Sequence, residues 1–180
     1  MPSAPIPRTD CIVLWLPGQR ADWRAKCDES LRGEPVAVHP VQGIPGDYPR
    51  ARCESFKTGS LEFVSYVDPD DYVMPGAFEA CTRLLDTTGA VMAWTDCLAV
   101  WEDDPLSRAR RVTPRRPHQL IVARRWAVEH AAADGPVSDS ELWRRVGAMG
   151  VGIHLPIIGY VWRDHPLTRQ QREARCFAAS

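Results

Sequence analysis

An acidic turn, Asp68-Pro69-Asp70-Asp71, follows directly on the apolar segment 61–67. Carboxylates crowded on a tight turn repel one another, and a divalent cation would relieve that repulsion. Mg²⁺ and Mn²⁺ take oxygen ligands and leave positions open for substrate phosphates, so one or two protein carboxylates are enough. The turn therefore predicts a site for Mn²⁺ or Mg²⁺ and a diphosphate. The alternative is ordinary turn chemistry, with Asp71 as a cap of the next helix.

The residues around this turn resemble family 2 glycosyltransferases of the GT-A fold. The resemblance rests on Ala51-Arg52-Cys53, on Val67-Asp68-Pro69-Asp70-Asp71-Tyr72 and on Pro75. It implies that Asp68 faces the ribose of the nucleotide, that Asp70 ligates the metal and that Asp71 supports the nucleotide site. It also implies that Arg52 lies near the nucleotide, and that Pro17 occupies the place of the proline that ends the family's first strand.

Two further segments resemble the same family in the same order. Ser138-Asp139-Ser140-Glu141-Leu142-Trp143-Arg144 is similar to its acceptor motif, which implies that Asp139 is the catalytic base. Tyr160-Val-Trp-Arg163-Asp164-His165 is similar to the end of its domain, which implies that His165 completes the metal or diphosphate site. The alternatives are a helix cap at Ser138 or Asp139 and a surface or packed histidine at 165.

The hydrophobic periodicity alternates between strands and helices and predicts an α/β domain with a largely parallel sheet. With the resemblance, this becomes a GT-A, Rossmann-like three-layer sandwich that is shortened in its N-terminal half. We expect a flexible leader over residues 1–10, one domain over 11–166 and a tail over 167–180. The predicted strands are 11–16, 35–38, 61–67, 90–94, 97–101 and 151–162, and the predicted helices are 21–31, 50–59, 75–85, 121–132 and 141–148.

The shortening concerns recognition of the base. Where the family has an Asp-Asp-Gly-Ser turn after its second strand, this chain has Val38-His39-Pro40-Val41-Gln42-Gly43. The turn that would hold the base is therefore replaced, and the choice among uridine, guanosine and cytidine nucleotides stays open.

Composition excludes several other classes. The 180 residues carry 22 basic and 23 acidic side chains, a net charge of -1, which gives no global field to attract nucleic acid or anionic lipid. The six cysteines have no spacing typical of zinc sites and are interpreted as reduced thiols. Without an apolar signal sequence or a run of about 20 apolar residues, we expect a cytoplasmic protein.

The leading hypothesis is a metal-dependent glycosyltransferase that moves a sugar from a nucleotide-diphosphate donor to a hydroxyl acceptor, with inversion. The acceptor class is open between a glycan, a small molecule and a modified nucleic acid. One alternative is a nucleic-acid-binding or base-modifying protein, and another is a non-catalytic GT-A-like module. The nucleic-acid alternative rests on a flexible basic loop over residues 108–116, near Trp101 and His118, that contains Arg108, Arg110, Arg111, Arg115 and Arg116.

Overall fold

A computed structural model of the chain describes residues 6–117 and 120–166. The leader therefore falls partly, and the tail and His118 entirely, outside the described residues. The described strands are β1 (Thr9–Trp15), β2 (Val36–Gln42), β3 (Phe63–Val67), β4 (Tyr72–Val73), β5 (Met92–Trp101), β6 (Arg110–Val112), β7 (Ile121–Arg124) and β8 (Gly152–Asp164). The helices are α1 (Ala21–Leu31), α2 (Tyr48–Ser55), α3 (Ala77–Thr88), α4 (Arg125–Ala131) and α5 (Asp139–Ala148).

The strands form a single mixed sheet in the order β2-β1-β3-β7-β5-β8-β4, and β6 pairs with β5. β1 is parallel to β2 and β3, and β5 is parallel to β8. The pairs β3/β7, β5/β7, β5/β6 and β4/β8 are antiparallel. The expectation of a largely parallel sheet was therefore wrong, because β7 enters between two parallel groups and runs against both.

Helices cover both faces of this sheet, which gives the expected three layers. α1 and α3 pack on one face around Cys27, Phe78 and Leu85, and α2, α4 and α5 pack on the other around Val128 and Trp143. A strand covered by helices on both faces needs apolar residues at successive positions, which explains the continuous apolar sequences of β1 and β3. The five cysteines in the described ranges are buried and free, and no described helix is long and apolar enough to cross a bilayer.

Several element boundaries differ from those expected. β1 begins at Thr9, so Thr9 and Asp10 belong to the first strand rather than to a leader. β2 continues through Pro40, which is tolerated because β2 is an edge strand. The predicted helix over 121–132 is the strand β7 followed directly by α4, since the β-branched Ile121 and Val122 favour a strand and the buried stripe of the helix begins only at Ala127.

The second half of the sheet also differs. The two strands predicted on either side of Asp96 are one strand, β5, whose pairing with β8 shifts register around Asp96. The segment predicted as a flexible basic loop contains a short 3-10 turn, Leu106–Arg108, and then β6. β8 is long, and β4 covers only Tyr160 and Val161 on its far side. In the part of the chain that the structure describes, residues 152–158 of β8 therefore have β5 as their one neighbouring strand.

Candidate active site

The acidic turn lies at the carboxyl end of β3, between the two helical layers. The backbone N–H of Asp71 donates to the carbonyl of Asp68 at 3.0 Å, which closes a β-turn with Pro69 at its second position. Pro69 fixes the backbone there and the turn directs successive carboxylates in different directions. Asp68 and Asp70 retain 28% and 30% exposure of their side chains, whereas Asp71 is 2% exposed.

Asp71 supports the turn from behind. Its Oδ2 accepts a hydrogen bond from the hydroxyl of Tyr160 at 2.9 Å, and its Oδ1 accepts one from the backbone N–H of Arg163 at 2.7 Å. Burial, reinforced by the charges of Asp70 and Asp68, raises the pKa of Asp71 well above its ordinary value. Because both oxygens are occupied and the side chain is buried, Asp71 has no face turned toward a ligand.

Arg52 joins the turn to a distant helix. α2 begins after Asp47, whose side chain accepts from the N–H of Arg50 at 3.3 Å, and this helix carries Arg52 into the interior. Its guanidinium donates from Nη2 to Oδ1 of Asp68 at 2.7 Å and from Nη1 to Oδ2 of Asp139 at 2.6 Å. The same group lies 3.6 Å from the ring centre of Tyr66.

The resemblance implies that Arg52 lies near the nucleotide, and in the structure its guanidinium lies on the inner side of the Asp68 and Asp139 carboxylates. The side chain is 2% exposed, and its Nε is buried without a described hydrogen-bond partner. A ligand in the open part of the site would meet Asp68 and Asp139 before it met Arg52. We therefore interpret Arg52 as a residue that positions these two carboxylates.

Asp139 is the first residue of α5 and is not its cap. Ser138 caps the helix, since its Oγ accepts from the N–H of Glu141 at 3.4 Å. The carboxylate of Asp139 is thus left for Arg52, and 46% of the side chain stays exposed. Burial raises the pKa of the neighbouring Asp68 to about 6, with Arg52 acting in the opposite direction.

Asp70 and His165 form the outer part of the site. Nε2 of His165, which follows directly on β8, lies 2.9 Å from Oδ2 of Asp70. The imidazole packs against Trp23 of α1, with ring centres 5.3 Å apart. Arg163 donates to the backbone carbonyl of Asp70 and has its guanidinium 4.7 Å from the Trp23 ring centre. Three elements, α1, β8 and the acidic turn, therefore fix this pair.

Pro17 stands apart from these contacts. It is exposed in the turn that ends β1, where the N–H of Gln19 donates to the carbonyl of Leu16 at 3.3 Å. β1 is parallel to β3 and is its neighbour in the sheet, so Pro17 lies on the same edge of the sheet as the acidic turn. The structure therefore brings Arg52, Asp68 and Asp139 into one cluster and Asp70 and His165 into a second, with Pro17 on the adjoining strand end.

The sequence reasoning missed three residues that build the site. Tyr160 donates to Asp71 and accepts from the N–H of Asp68 at 3.2 Å, so it fixes both ends of the turn. Arg163 donates its backbone N–H to the Asp71 carboxylate and its guanidinium to the Asp70 carbonyl, and Trp23 packs against His165. Tyr160 and Arg163 lie in the segment that resembles the family, and this resemblance could have identified them as site residues. Trp23 appears in the sequence only as one of the apolar positions of a predicted helix.

Comparison with known proteins identifies the fold. Neither a protein-family model nor a curated protein sequence matches the chain. Solved structures do match: S. aureus TarS residues 1–349 has a TM-score of 0.63 at 12% identity, over 87% of this chain and 60% of that one. A second structure of S. aureus TarS gives 0.64 at 10% identity, over 87% of this chain and 37% of that one. The chain has a GT-A fold.

The expected resemblance is thus confirmed at the level of the fold, since TarS is a family 2 glycosyltransferase. A crystal structure of TarS 1–349 in complex with UDP-GlcNAc also matches, with a TM-score of 0.61 at 11% identity over 87% of this chain and 58% of that one. This chain spans between 37% and 60% of the length of these three structures. In open α/β sheets, ligands bind beyond the carboxyl ends of the strands, and the acidic turn lies at such an end.

Proposed function

We propose that the chain is a glycosyltransferase that moves a sugar from a nucleotide-diphosphate donor to an acceptor hydroxyl. The observation that carries the proposal is the fork of Arg52, which joins Asp68 of the acidic turn to Asp139, 71 positions further along the chain, at the donor edge of a GT-A fold. An ordinary turn or helix cap does not require a buried arginine between the two carboxylates.

The donor would lie across the outer ends of β1 and β3. Asp68 is partly open to solvent and is proposed to face the ribose, with Pro17 of the neighbouring strand end beside the nucleotide. The binding of a nucleotide sugar by TarS supports a donor of this class. The contacts that select the base lie outside the group formed by Arg52, Asp68, Asp139 and Pro17.

A divalent cation is proposed at the outer pair. Oδ2 of Asp70 and Nε2 of His165 are 2.9 Å apart, a hydrogen-bonding distance, and a cation would replace this bond by taking one oxygen and one nitrogen ligand from the pair. Within residues 6–117 and 120–166, no group of three or more potential ligand side chains occurs. We therefore propose two protein ligands, the remainder coming from phosphate and water, and the ion would offset charge on the departing diphosphate.

Asp139 is proposed as the general base. Its half-exposed carboxylate, held by Arg52 from the inner side, takes the proton of the acceptor hydroxyl while that oxygen forms a bond to the anomeric carbon. The bond from the anomeric carbon to the diphosphate oxygen breaks, and its electron pair leaves with the diphosphate. Attack on the face opposite the leaving group inverts the anomeric centre.

Two carboxylate substitutions test this proposal. Calorimetry with UDP and Mn²⁺ is expected to give metal-dependent binding in the wild type and in Asp134→Ala, a control at a side chain that is 89% exposed. Asp70→Ala is expected to abolish the metal-dependent part. Asp139→Asn is expected to keep UDP binding and to lower sugar transfer by about two orders of magnitude or more, the usual contribution of a general base.

Two results would contradict the proposal. The first is UDP binding that is absent or equally strong without metal, which would remove the donor site. The second is a donor screen in which the wild type neither transfers sugar nor slowly releases it to water, which would favour a non-catalytic GT-A-like module.

A further inference from the structure

A basic segment beside the site has no role in the proposed transfer. Residues 108–116 contain five arginines, and Arg110, Arg115 and Arg116 are exposed. Nη1 of Arg108 lies 3.6 Å from Oδ1 of Asp104, and the guanidinium of Arg111 forms an ion pair with Asp96. Among the described residues, the other three arginines have no carboxylate partner. Their charges are therefore available to a ligand.

The segment is anchored to the sheet through a buried carboxylate. Asp96 is 1% exposed, and it accepts from Nε of Arg111 at 2.8 Å while its Oδ1 lies 2.8 Å from Nε2 of His154. Burial by itself would raise the pKa of Asp96, but hydrogen bonds from Arg111, His154 and Thr113 hold it below its ordinary value. Arg111 and Thr113 are thus fixed at one point on the sheet, while Arg111 stays 51% exposed.

The strand register places this anchor at the level of the acidic turn. Trp94 of β5 lies opposite Ile121, and Ser65 of β3 lies opposite Val122, the next residue of β7. Trp94 is therefore level with Tyr66, the residue after Ser65, and Asp96 and Asp68 each follow two residues further along the chain. Only β7 lies between β3 and β5, so the backbones at Trp94 and Tyr66 are about 10 Å apart.

The anchor also lies on the same face of the sheet as Asp139. The ring of His154 is 5.9 Å from that of Trp94, and Trp94 packs with the layer of α2, α4 and α5. His154 and Asp96 are hydrogen-bonded to each other on this face. Arg111 and Thr113, which bond to Asp96, are consequently on the side of the sheet where α5 presents Asp139.

The chain that follows β6 cannot run straight on into β7. Val112 lies opposite Cys97 and Ile121 lies opposite Trp94, so residues 113–120 connect points only three positions apart along β5. That gap is about 10 Å, far less than the connecting chain could span. Residues 113–117 leave the sheet between the ends of β6 and β7, and Thr113, Arg115 and Arg116 are exposed there.

We propose that Arg115 and Arg116, together with the exposed part of the Arg111 guanidinium, bind a phosphate group of the acceptor, so that the enzyme glycosylates a phosphate-bearing acceptor. This inference rests on the proposed function. Guanidinium groups bind phosphate through paired, charge-assisted hydrogen bonds. The anchor at Asp96 holds the start of this surface while its outer arginines remain open.

Nucleic acid is a poorer match to the same surface. An extended polyanion needs a long row of open cations, but Arg108 and Arg111 of this segment are already paired with Asp104 and Asp96. The net charge of -1 supplies no wider attraction. The basic surface suits one or two phosphates, which is the scale of a phosphorylated glycan or small molecule.

The test uses the full chain and two double variants with equal charge. Arg115→Ser with Arg116→Ser removes the proposed surface, and Arg32→Ser with Arg83→Ser removes two exposed arginines at the end of α1 and on α3, on the opposite face. Fluorescein-labelled maltotriose, its phosphate monoester and an oligothymidylate are titrated by anisotropy in the presence of UDP and Mn²⁺. Calorimetry measures UDP binding separately in each protein.

We expect the phosphate monoester to bind at least about tenfold more tightly than maltotriose at low salt. This preference should disappear in the Arg115/Arg116 variant and persist in the Arg32/Arg83 variant, with UDP binding equal in all three. No preference for the phosphate, or equal loss in both variants, overturns the inference. Tighter binding of oligothymidylate that depends on Arg115 and Arg116 overturns it in favour of a nucleic-acid surface. Absent UDP binding with an intact phosphate preference refutes the proposed function instead.

Discussion

Replacement of Arg52 perturbs both the fold and the proposed chemistry. Arg52→Met keeps most of the side-chain volume and removes two charge-assisted hydrogen bonds, to Asp68 at 2.7 Å and to Asp139 at 2.6 Å. Such bonds contribute about 1.5 to 3 kcal/mol each. We use the lower value because Asp68 and Asp139 are 28% and 46% exposed and can be hydrated once Arg52 is gone.

The free energy of unfolding is therefore expected to fall by about 3 kcal/mol. The variant also loses the contact between the guanidinium and the Tyr66 ring, but it no longer has to bury a charge, and these two effects partly cancel. For a chain of this length, this corresponds to a fall in Tm of about 6 to 12 °C. Arg52→Lys is expected to lose about half as much, since an ammonium group keeps a charge but has no fork to reach both carboxylates.

Urea denaturation followed by circular dichroism measures the stability, and calorimetry with UDP and Mn²⁺ measures donor binding at a temperature where every variant is folded. Arg125→Met is the matched control. Arg125 is 12% exposed, pairs with Asp10 and donates to the carbonyl of Leu61 at 2.7 Å, at the end of the sheet away from the acidic turn. We expect the control to be destabilised to a similar degree with donor binding unchanged.

The Arg52 argument fails in either of two cases. If Arg52→Met is within about 0.5 kcal/mol of the wild type, the hydrogen bonds to Asp68 and Asp139 contribute nothing measurable. If Arg52→Met and Arg125→Met impair donor binding and transfer equally, the loss reflects general destabilisation rather than the positioning of Asp68 and Asp139.

Two further predictions concern the scaffold. Glu34 accepts hydrogen bonds from backbone N–H groups at the start of α3, and burial raises its pKa above the ordinary value of 4.5. Because the folded state holds this proton more tightly than the unfolded state, the protein loses stability as the pH rises from about 4.5 through the folded-state pKa. Glu34→Gln should therefore gain in unfolding free energy relative to the wild type between pH 4 and pH 7.5 in urea titrations, and a relative loss would contradict this reasoning. Gly59 has φ +82°, and an added Cβ would lie 2.3 Å from the carboxyl carbon of Asp10, so Gly59→Ala should cost about 3 kcal/mol or more. Gly46→Ala, at φ +77° with open space around it, should cost only about 1 to 2 kcal/mol, and equal losses in the two variants would refute the steric argument.

The sequence was most informative where short segments carry their own signal. The acidic turn, the strand before it and the helix that begins at Asp139 depend on local residue types, and the two elements begin within two residues of the predicted positions. The contact between Arg52 and Asp139 depends on how α2 and α5 pack on one face of the sheet. No local pattern encodes that packing, so the positioning role of Arg52 became visible only in three dimensions.

The strand β7 was missed for a different reason. Four residues followed at once by a helix give no room for alternation to separate the two periods, so Ile121–Arg124 merged with α4 in the periodicity. That error had a consequence for the sheet, because β7 is the strand that makes its centre antiparallel. The basic segment was similarly read from its charge, and only the pairing of β6 with β5 revealed that part of it is a strand.

The open edge of β8 has a consequence for solubility. Residues 152–158 present a mostly apolar strand edge, a surface on which a second chain could add a strand. Pro156 interrupts this edge because it has no N–H, and Arg111 donates to its carbonyl at 3.1 Å, so neither backbone group of Pro156 is free for such a ladder. Replacement of Pro156 would therefore restore an N–H donor to this edge.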